Sequence, residues 1–222
     1  IERVLEEASP VVRDADELHD YLLTRILLPK SEGQVWPDML QQLQEQHRVT
    51  LITVENHQFY IPAAKLLIAQ VLWPELKMEP EVTAPERAKP PAATTEARVE
   101  ILRGWMEYLG PVTTREIADQ LGWTDSQTDA TFEALEGEGL VLRGKFRESS
   151  QSFSEENTLN PQHSTLNNPE WCDRRLLARI HRLTLEGLRK QIEPVDVATY
   201  MRFLFRHHGF HPSTRREGAQ GL

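Results

Sequence analysis

The stretch TTREIADQLGWTDSQTDATFEALEGEGLVLRGKFR, residues 113–147, decides the fold of this chain. Thr113 or Thr114 is placed to cap a short helix running through Leu121, and Gly122 follows as the left-handed residue that ends it. Thr124 or Asp125 caps a further helix to about Glu136. Gly139 then opens LVLRGKFR, which alternates like a strand or hairpin. Upstream, Ala97 to Leu109 has the apolar spacing of an amphipathic helix and is closed by Gly110-Pro111. Helix, short helix, glycine turn, helix and hairpin is the order of a winged helix-turn-helix, predicted over 97–147.

The first 77 residues read in a similar order. Residues 15–28 place Leu18, Leu22, Ile26 and Leu27 on one helical side. Residues 36–47 make a second helix, with Pro37 at its start. Residues 48–61 are rich in β-branched and aromatic types, and a polar turn at Glu55 to His57 divides them into a hairpin. Residues 63–73 form a helix ending before Pro74. Residues 1–77 are therefore predicted as a winged-helix-like module. Residues 78–96 hold four prolines and no apolar periodicity, and read as an extended linker.

Downstream of the second module, residues 148–169 are dominated by Ser, Asn and Glu and read as a mobile polar loop. Helices follow over 171–191 and 196–208, the second capped by Asp196. Residues 170–222 are read as a basic helical segment that starts a further domain. The predicted class is mainly α with small β-hairpin wings (α+β): tandem winged-helix modules, then helices.

Charge divides the chain in the same way. The net charge of −9 hides a strong gradient. Residues 1–80 carry 13 acids against 7 bases, and residues 101–150 carry 9 against 5. Residues 171–222 carry 10 bases against 5 acids. A polyanion responds to the field within about 8–10 Å, not to the total charge, so one patch of an acidic chain can still hold nucleic acid. No apolar run reaches the ~20 residues of a membrane span, and no export signal is seen. With Cys172 as the single cysteine, there is no internal disulfide and no Cys-based zinc site, and a cytoplasmic protein is expected. The start at Ile1 reads as that of a piece of a longer protein.

The candidate contacts follow from these charges. The helix from Asp125 offers Asp125, Asp129, Glu133 and Glu136 and no base, so it is unsuited to reading a major groove. In the wing, alternation puts Leu140, Leu142 and Phe146 on one side and Arg143, Lys145 and Arg147 on the other. That charged face either lies along a phosphate backbone or keeps a hairpin soluble. In the 171–191 helix, Arg175, Arg179, Arg182 and Arg189 form a stripe beside an apolar one of Leu176, Ile180, Leu183 and Leu188. With Arg174 and Lys190, this helix either contacts phosphates or pairs with the acids of the 97–147 module. Arg202 and Arg206 extend either surface. Trp171 reads as the start of a helix, a buried anchor or a base-stacking ring. His207, His208 and His211 lack a completing carboxylate or cysteine, so no metal site is expected. There is no GxxxxGK[ST], GxGxxG, HExxH or GxSxG motif, hence no nucleotide hydrolysis site.

The segment WCDRRLLARIHRLTLEGLRKQIEPVDVATYMRFLF resembles the Lhr (large helicase-related) family of superfamily 2. The likeness extends through VTTREIADQLG, EALEGEGLVLRGKF, FYIPAAKLLIAQVLWPELKMEPEV and the closing TRREGAQGL. It implies the first part of the C-terminal extension of an ATP-dependent DNA-repair helicase, with tandem winged helices and a fold similar to AlkZ-type DNA glycosylases. ATP and Mg would belong to helicase lobes outside this segment, and none of this segment's residues is expected to hold a cofactor. The implied partners are the DNA or RNA backbone and the remaining domains of the same helicase. Assembly into a homo-oligomer, or a part in base excision, are the alternatives. The QxQ or QxD motif of AlkZ-type enzymes has no counterpart here, so no catalytic residue is carried over. The 148–169 loop and the pair His207-His208 depart from the family pattern.

Overall fold

The computed structural model describes residues 1–147, 169–192 and 194–209. Contacts divide the chain into two units, Ile1–Ile180 and His181–Leu222.

The first unit opens with α1 (Glu2–Ala8) and α2 (Ala15–Arg25), the latter capped by the Asp14 side chain. There follow β1 (Leu28–Pro29), α3 (Lys30–Gly33), α4 (Pro37–Glu45), β2 (Val49–Val54) and β3 (His57–Pro62). The expected hairpin forms: β2 and β3 pair antiparallel from Val49↔Pro62 to Val54↔His57, and Glu55 takes a positive φ of 50° at the turn. A 3-10 turn over Ala63–Lys65 leads into α5 (Leu66–Leu72), and β4 (Lys77–Glu79) returns to the other edge of β2. The sheet order is β1-β3-β2-β4.

The proline-rich stretch is therefore not a free linker from its start. Its first residues belong to β4. Thr50 Oγ1 donates to the Pro80 carbonyl at 2.6 Å, Gln44 Nε2 donates to that of Glu79 at 3.1 Å, and Val82 is buried. Such contacts offset the entropy that proline composition alone cannot reveal.

The rest of the first unit repeats the order. It comprises α6 (Thr94–Met106), β5 (Val112–Thr113), α7 (Thr114–Leu121), α8 (Asp125–Gly137), β6 (Val141–Gly144) and β7 (Glu170–Asp173), with sheet order β5-β7-β6. In both sheets the first strand of the module pairs with the third and the third with the second. The local signals behave as expected: of the alternatives, Thr113 caps α7 and Thr124 caps α8, and Gly122 ends α7 at φ 67°. Each cap is completed into a capping box by Glu116 and Gln127.

One expectation fails. Trp171 does not start a helix; Glu170–Asp173 is the central strand of the second sheet, and α9 (Arg174–Lys190) begins after it. The Asp173 carboxylate supplies the cap, accepting from the backbone N–H of Arg175 at 2.8 Å and of Leu176 at 3.0 Å. The helical spacing of Leu176 and Ile180 has no counterpart in the four residues before it. The predicted polar loop is thus most of the connection between β6 and β7; residues 148–168 lie outside those described.

The two modules share one apolar core. Ile26, Leu27, Ile52, Phe59 and Ile61 of the first belong to the same cluster as Ile101, Trp105, Phe132, Leu135 and Trp171 of the second. At Gly104 an added Cβ would stand 2.0 Å from the Thr24 carbonyl oxygen, so only glycine lets α2 and α6 approach this closely. Trp105 Nε1 donates to the Leu27 carbonyl at 3.0 Å. Buried Arg25 lies 4.8 Å from the Trp105 ring centroid and pairs with Glu32.

In the second unit, α10 (Val197–His207) is capped by Asp196, which accepts from Thr199 N–H at 2.9 Å as expected.

Candidate nucleic-acid interface

The end of β6 and the start of α9 carry one group of exposed cations in the first unit. Their support begins with Trp171, which is fully buried and stacks on Phe132 at 4.9 Å with planes 1° apart. Its indole N–H donates to Thr114 Oγ1 at 3.2 Å, and that hydroxyl donates to Asp129 Oδ1 at 2.5 Å. Phe132, Thr114 and Asp129 thus fix the ring from α8 and α7. The Arg143 guanidinium lies 5.4 Å from the Trp171 ring centroid, across the strand pair Arg143↔Trp171.

The phase of the wing differs from the sequence reading. Val141 is the buried residue, and Leu142 faces outward, 40% exposed, opposite Cys172. Arg143 stands on the side of Val141, at the rim of the core, because alternate residues share a face. Lys145 is exposed beyond the end of β6.

Arg147 is committed elsewhere. Its Nη1 and Nη2 donate to the two Glu116 oxygens at 3.0 and 2.9 Å, and its Nε donates to Glu170 Oε1 at 2.5 Å. The backbone N–H groups of Phe146 and Arg147 donate to the other Glu170 oxygen at 2.6 and 2.9 Å. The Arg147 hydrogen bonds hold the Glu116 carboxyl down at about 2. For Glu170, burial opposes ionisation. The N–H groups of Arg147 and Phe146 and the guanidinium outweigh it, and the carboxyl stays below its usual range. The same two carboxylates push Arg147 upward despite partial burial. This cluster joins the two ends of the β6–β7 connection. Nothing in the local sequence announced it except Glu116, whose spacing from Thr113 signals only a cap.

In α9 the cations separate into groups. Arg174, exposed, enters the helix with its backbone N–H on the Leu140 carbonyl at 2.9 Å. Arg175 is exposed at the rim of a 280 Å³ pocket floored by Met106, Leu135, Leu140 and Leu176. Among the described residues, Arg143, Lys145, Arg174 and Arg175 have no carboxylate within ion-pair distance. Arg179 differs: it is half-buried and paired with Glu7 of α1.

Within the second unit, Arg182 is 3.9 Å from Glu186, an exposed pair of small energetic weight. Arg189, Lys190, Arg202 and Arg206 are exposed. Of the expected apolar stripe, Leu176 is buried, Ile180 and Leu183 are half-buried, and Leu188 is 53% exposed. His207 stacks on Phe203 at 5.5 Å, and His211 lies outside the described residues. Burial pushes the Cys172 thiol up to about 12.

Neither α4 nor α8, the helix before the hairpin in each module, contains a lysine or arginine. Asp125, Asp129 and Glu133 are exposed along α8. No described helix is long and apolar enough to cross a membrane.

No family model matches the chain. Over 138 residues, 60% of its length, it is 28% identical to a protein of Mycolicibacterium smegmatis (strain ATCC 700084 / mc(2)155) named "Lhr helicase/ probable uracil glycosylase". The match spans 8% of that protein. This likeness supports a relation to the Lhr family.

Proposed function

We propose that this chain is a non-catalytic nucleic-acid-binding section of an Lhr-type repair helicase. Its first unit would contain two winged-helix modules, each built helix, strand, two helices, two strands. It would hold the phosphate backbone through Arg143, Lys145, Arg174 and Arg175, with no sequence readout. The observation that carries this reading is the partition of charge. Among the described residues these four side chains face solvent without a carboxylate partner, whereas α4 and α8 contain no lysine or arginine, and α8 turns exposed carboxylates outward where a helix entering a groove would meet phosphates. Arg147 and Arg179, engaged with Glu116, Glu170 and Glu7, would fix the frame rather than the ligand. Arg189, Lys190 and Arg202 form a second cationic set on the His181–Leu222 unit, considered by itself.

The test is replacement of Arg174 and Arg175 by glutamine. Affinity for duplexes of unrelated sequence should fall to the same extent on each, with the mass by light scattering unchanged. Loss confined to one sequence, or no loss at all, would contradict the proposal.

A second reading, an interdomain or self-association scaffold of the same helicase, draws on the second unit. Ile192, Val197 and Phe203 there are 74%, 78% and 57% exposed. A fall in mass on Phe203→Ser with unchanged DNA affinity would favour it. A role in base excision would appear as release of uracil from a uracil-containing oligonucleotide by this chain alone.

A further inference from the structure

A cleft of about 370 Å³ opens where the hairpin turn of the first module approaches α7 of the second. Its walls are largely polar: Lys30, Ser31, Asn56, His57, Gln58 and Gln120 line it. It also has one carboxylate, Glu32, which is already neutralised. Both Glu32 oxygens lie within hydrogen-bonding reach of Nη2 of buried Arg25, at 3.0 and 2.9 Å.

Among the described residues Lys30 has no such partner. Its ammonium donates to the neutral Gln58 carboxamide oxygen at 2.9 Å. The His57 ring serves as wall: Nε2 donates to the Asp119 carbonyl at 3.0 Å, and the ring stacks on Phe59. Its Nδ1 would be 2.9 Å from a Cβ at Gly122, so that nitrogen faces the glycine. The Gln58 carboxamide N–H is taken by Thr53 Oγ1 at 3.2 Å, so what remains for a ligand is one cation resting on a neutral group in a cleft also lined by the Ser31 hydroxyl and the Asn56 and Gln120 carboxamides. That set suits a compact oxyanion, which gives Lys30 a charged acceptor and those polar groups a common one.

We infer that this cleft binds a single phosphate group. The group is either a backbone diester of nucleic acid or a phosphomonoester, terminal or free. The site stands on its own lining and does not depend on the basic face at β6 and α9.

The experiment uses the full chain, ¹⁵N-labelled, titrated with inorganic phosphate at constant ionic strength. Amide signals of Lys30, Ser31 and Gln58 should shift and saturate. Lys30→Gln, at an exposed position, should abolish the shifts with the melting temperature unchanged, while Lys77→Gln, which removes the same charge from β4, should preserve them. Shifts that do not saturate, or that survive in Lys30→Gln, would overturn the inference.

Oligonucleotides with and without a 5′-phosphate then identify the source. A backbone contact lowers the salt slope of log affinity by about 1 in Lys30→Gln for both oligonucleotides. A terminal monoester lowers it only for the phosphorylated one. Saturable phosphate shifts with neither slope changed mark the free monoester as the ligand. A chain that binds no oligonucleotide through β6 and α9 yet shows the saturable shifts would sink the proposed backbone contact and leave this site standing.

Discussion

The two modules of the first unit share one topology and differ in what they expose. In the first, the hairpin turns within Glu55 and Asn56, and the strands are mostly apolar or uncharged. In the second, the same strand pair is separated by the whole stretch between Gly144 and Glu170, and Arg143 and Lys145 sit at its base. The pre-hairpin helices α4 and α8 lack cations in both. A shared fold therefore does not set which cations stay available. Here that depends on which guanidinium groups find a carboxylate inside the unit and which do not.

The largest effect is expected where the modules join. Gly104→Val puts a side chain into the Thr24 carbonyl and should cost about 3 kcal/mol or more, read by chemical denaturation. If the modules were independent, only the second would lose stability. A shared core requires one cooperative loss.

Next in size is the effect on binding of the unpaired cations. Changing Arg143, Arg174 and Arg175 together to glutamine should lower the salt slope of log affinity by about 2 to 3, at little cost in stability. Arg147→Gln should do the reverse, with small loss of slope and clear loss of stability.

The Arg147 cluster gives the module a pH signature. The Glu116 pKa is depressed in the folded state, so its contribution is fully present above the ordinary value of 4.5. It is lost as pH falls from there toward about 2. Because Glu116 is substantially exposed, solvent screening reduces this to about 1 kcal/mol. Denaturation at pH 3 and pH 6 should differ by roughly half of that amount more in the native chain than in Arg147→Gln. The smallest expected effect is at the caps: Thr124→Ala should cost about 1 kcal/mol or less, read in the same way.

Much of this was legible in the sequence because the signals are local. Thr113, Thr124, Gly122 and Pro37 each mark a helix end through groups a few residues away. Trp171 was misread because its strand partners, Val112 and Arg143, are tens of residues distant, and the helical spacing after Asp173 overran it. The candidate site was half legible. Residue type identified the arginines, but the carboxylates that claim Arg147 and Arg179 come from α7, β7 and α1. The reversed phase of Leu142 has the same origin: it depends on which side of β6 meets α8, which alternation alone leaves open.

If the cations at the base of the second hairpin hold a phosphate backbone, the affinity of the full chain for two unrelated duplexes will report it as salt rises from about 50 to 200 mM. Log affinity should fall steeply and linearly with log salt, with equal slope for both, flattened when Arg143, Arg174 and Arg175 are neutralised. An affinity indifferent to salt, or a slope unchanged by those substitutions, would contradict it.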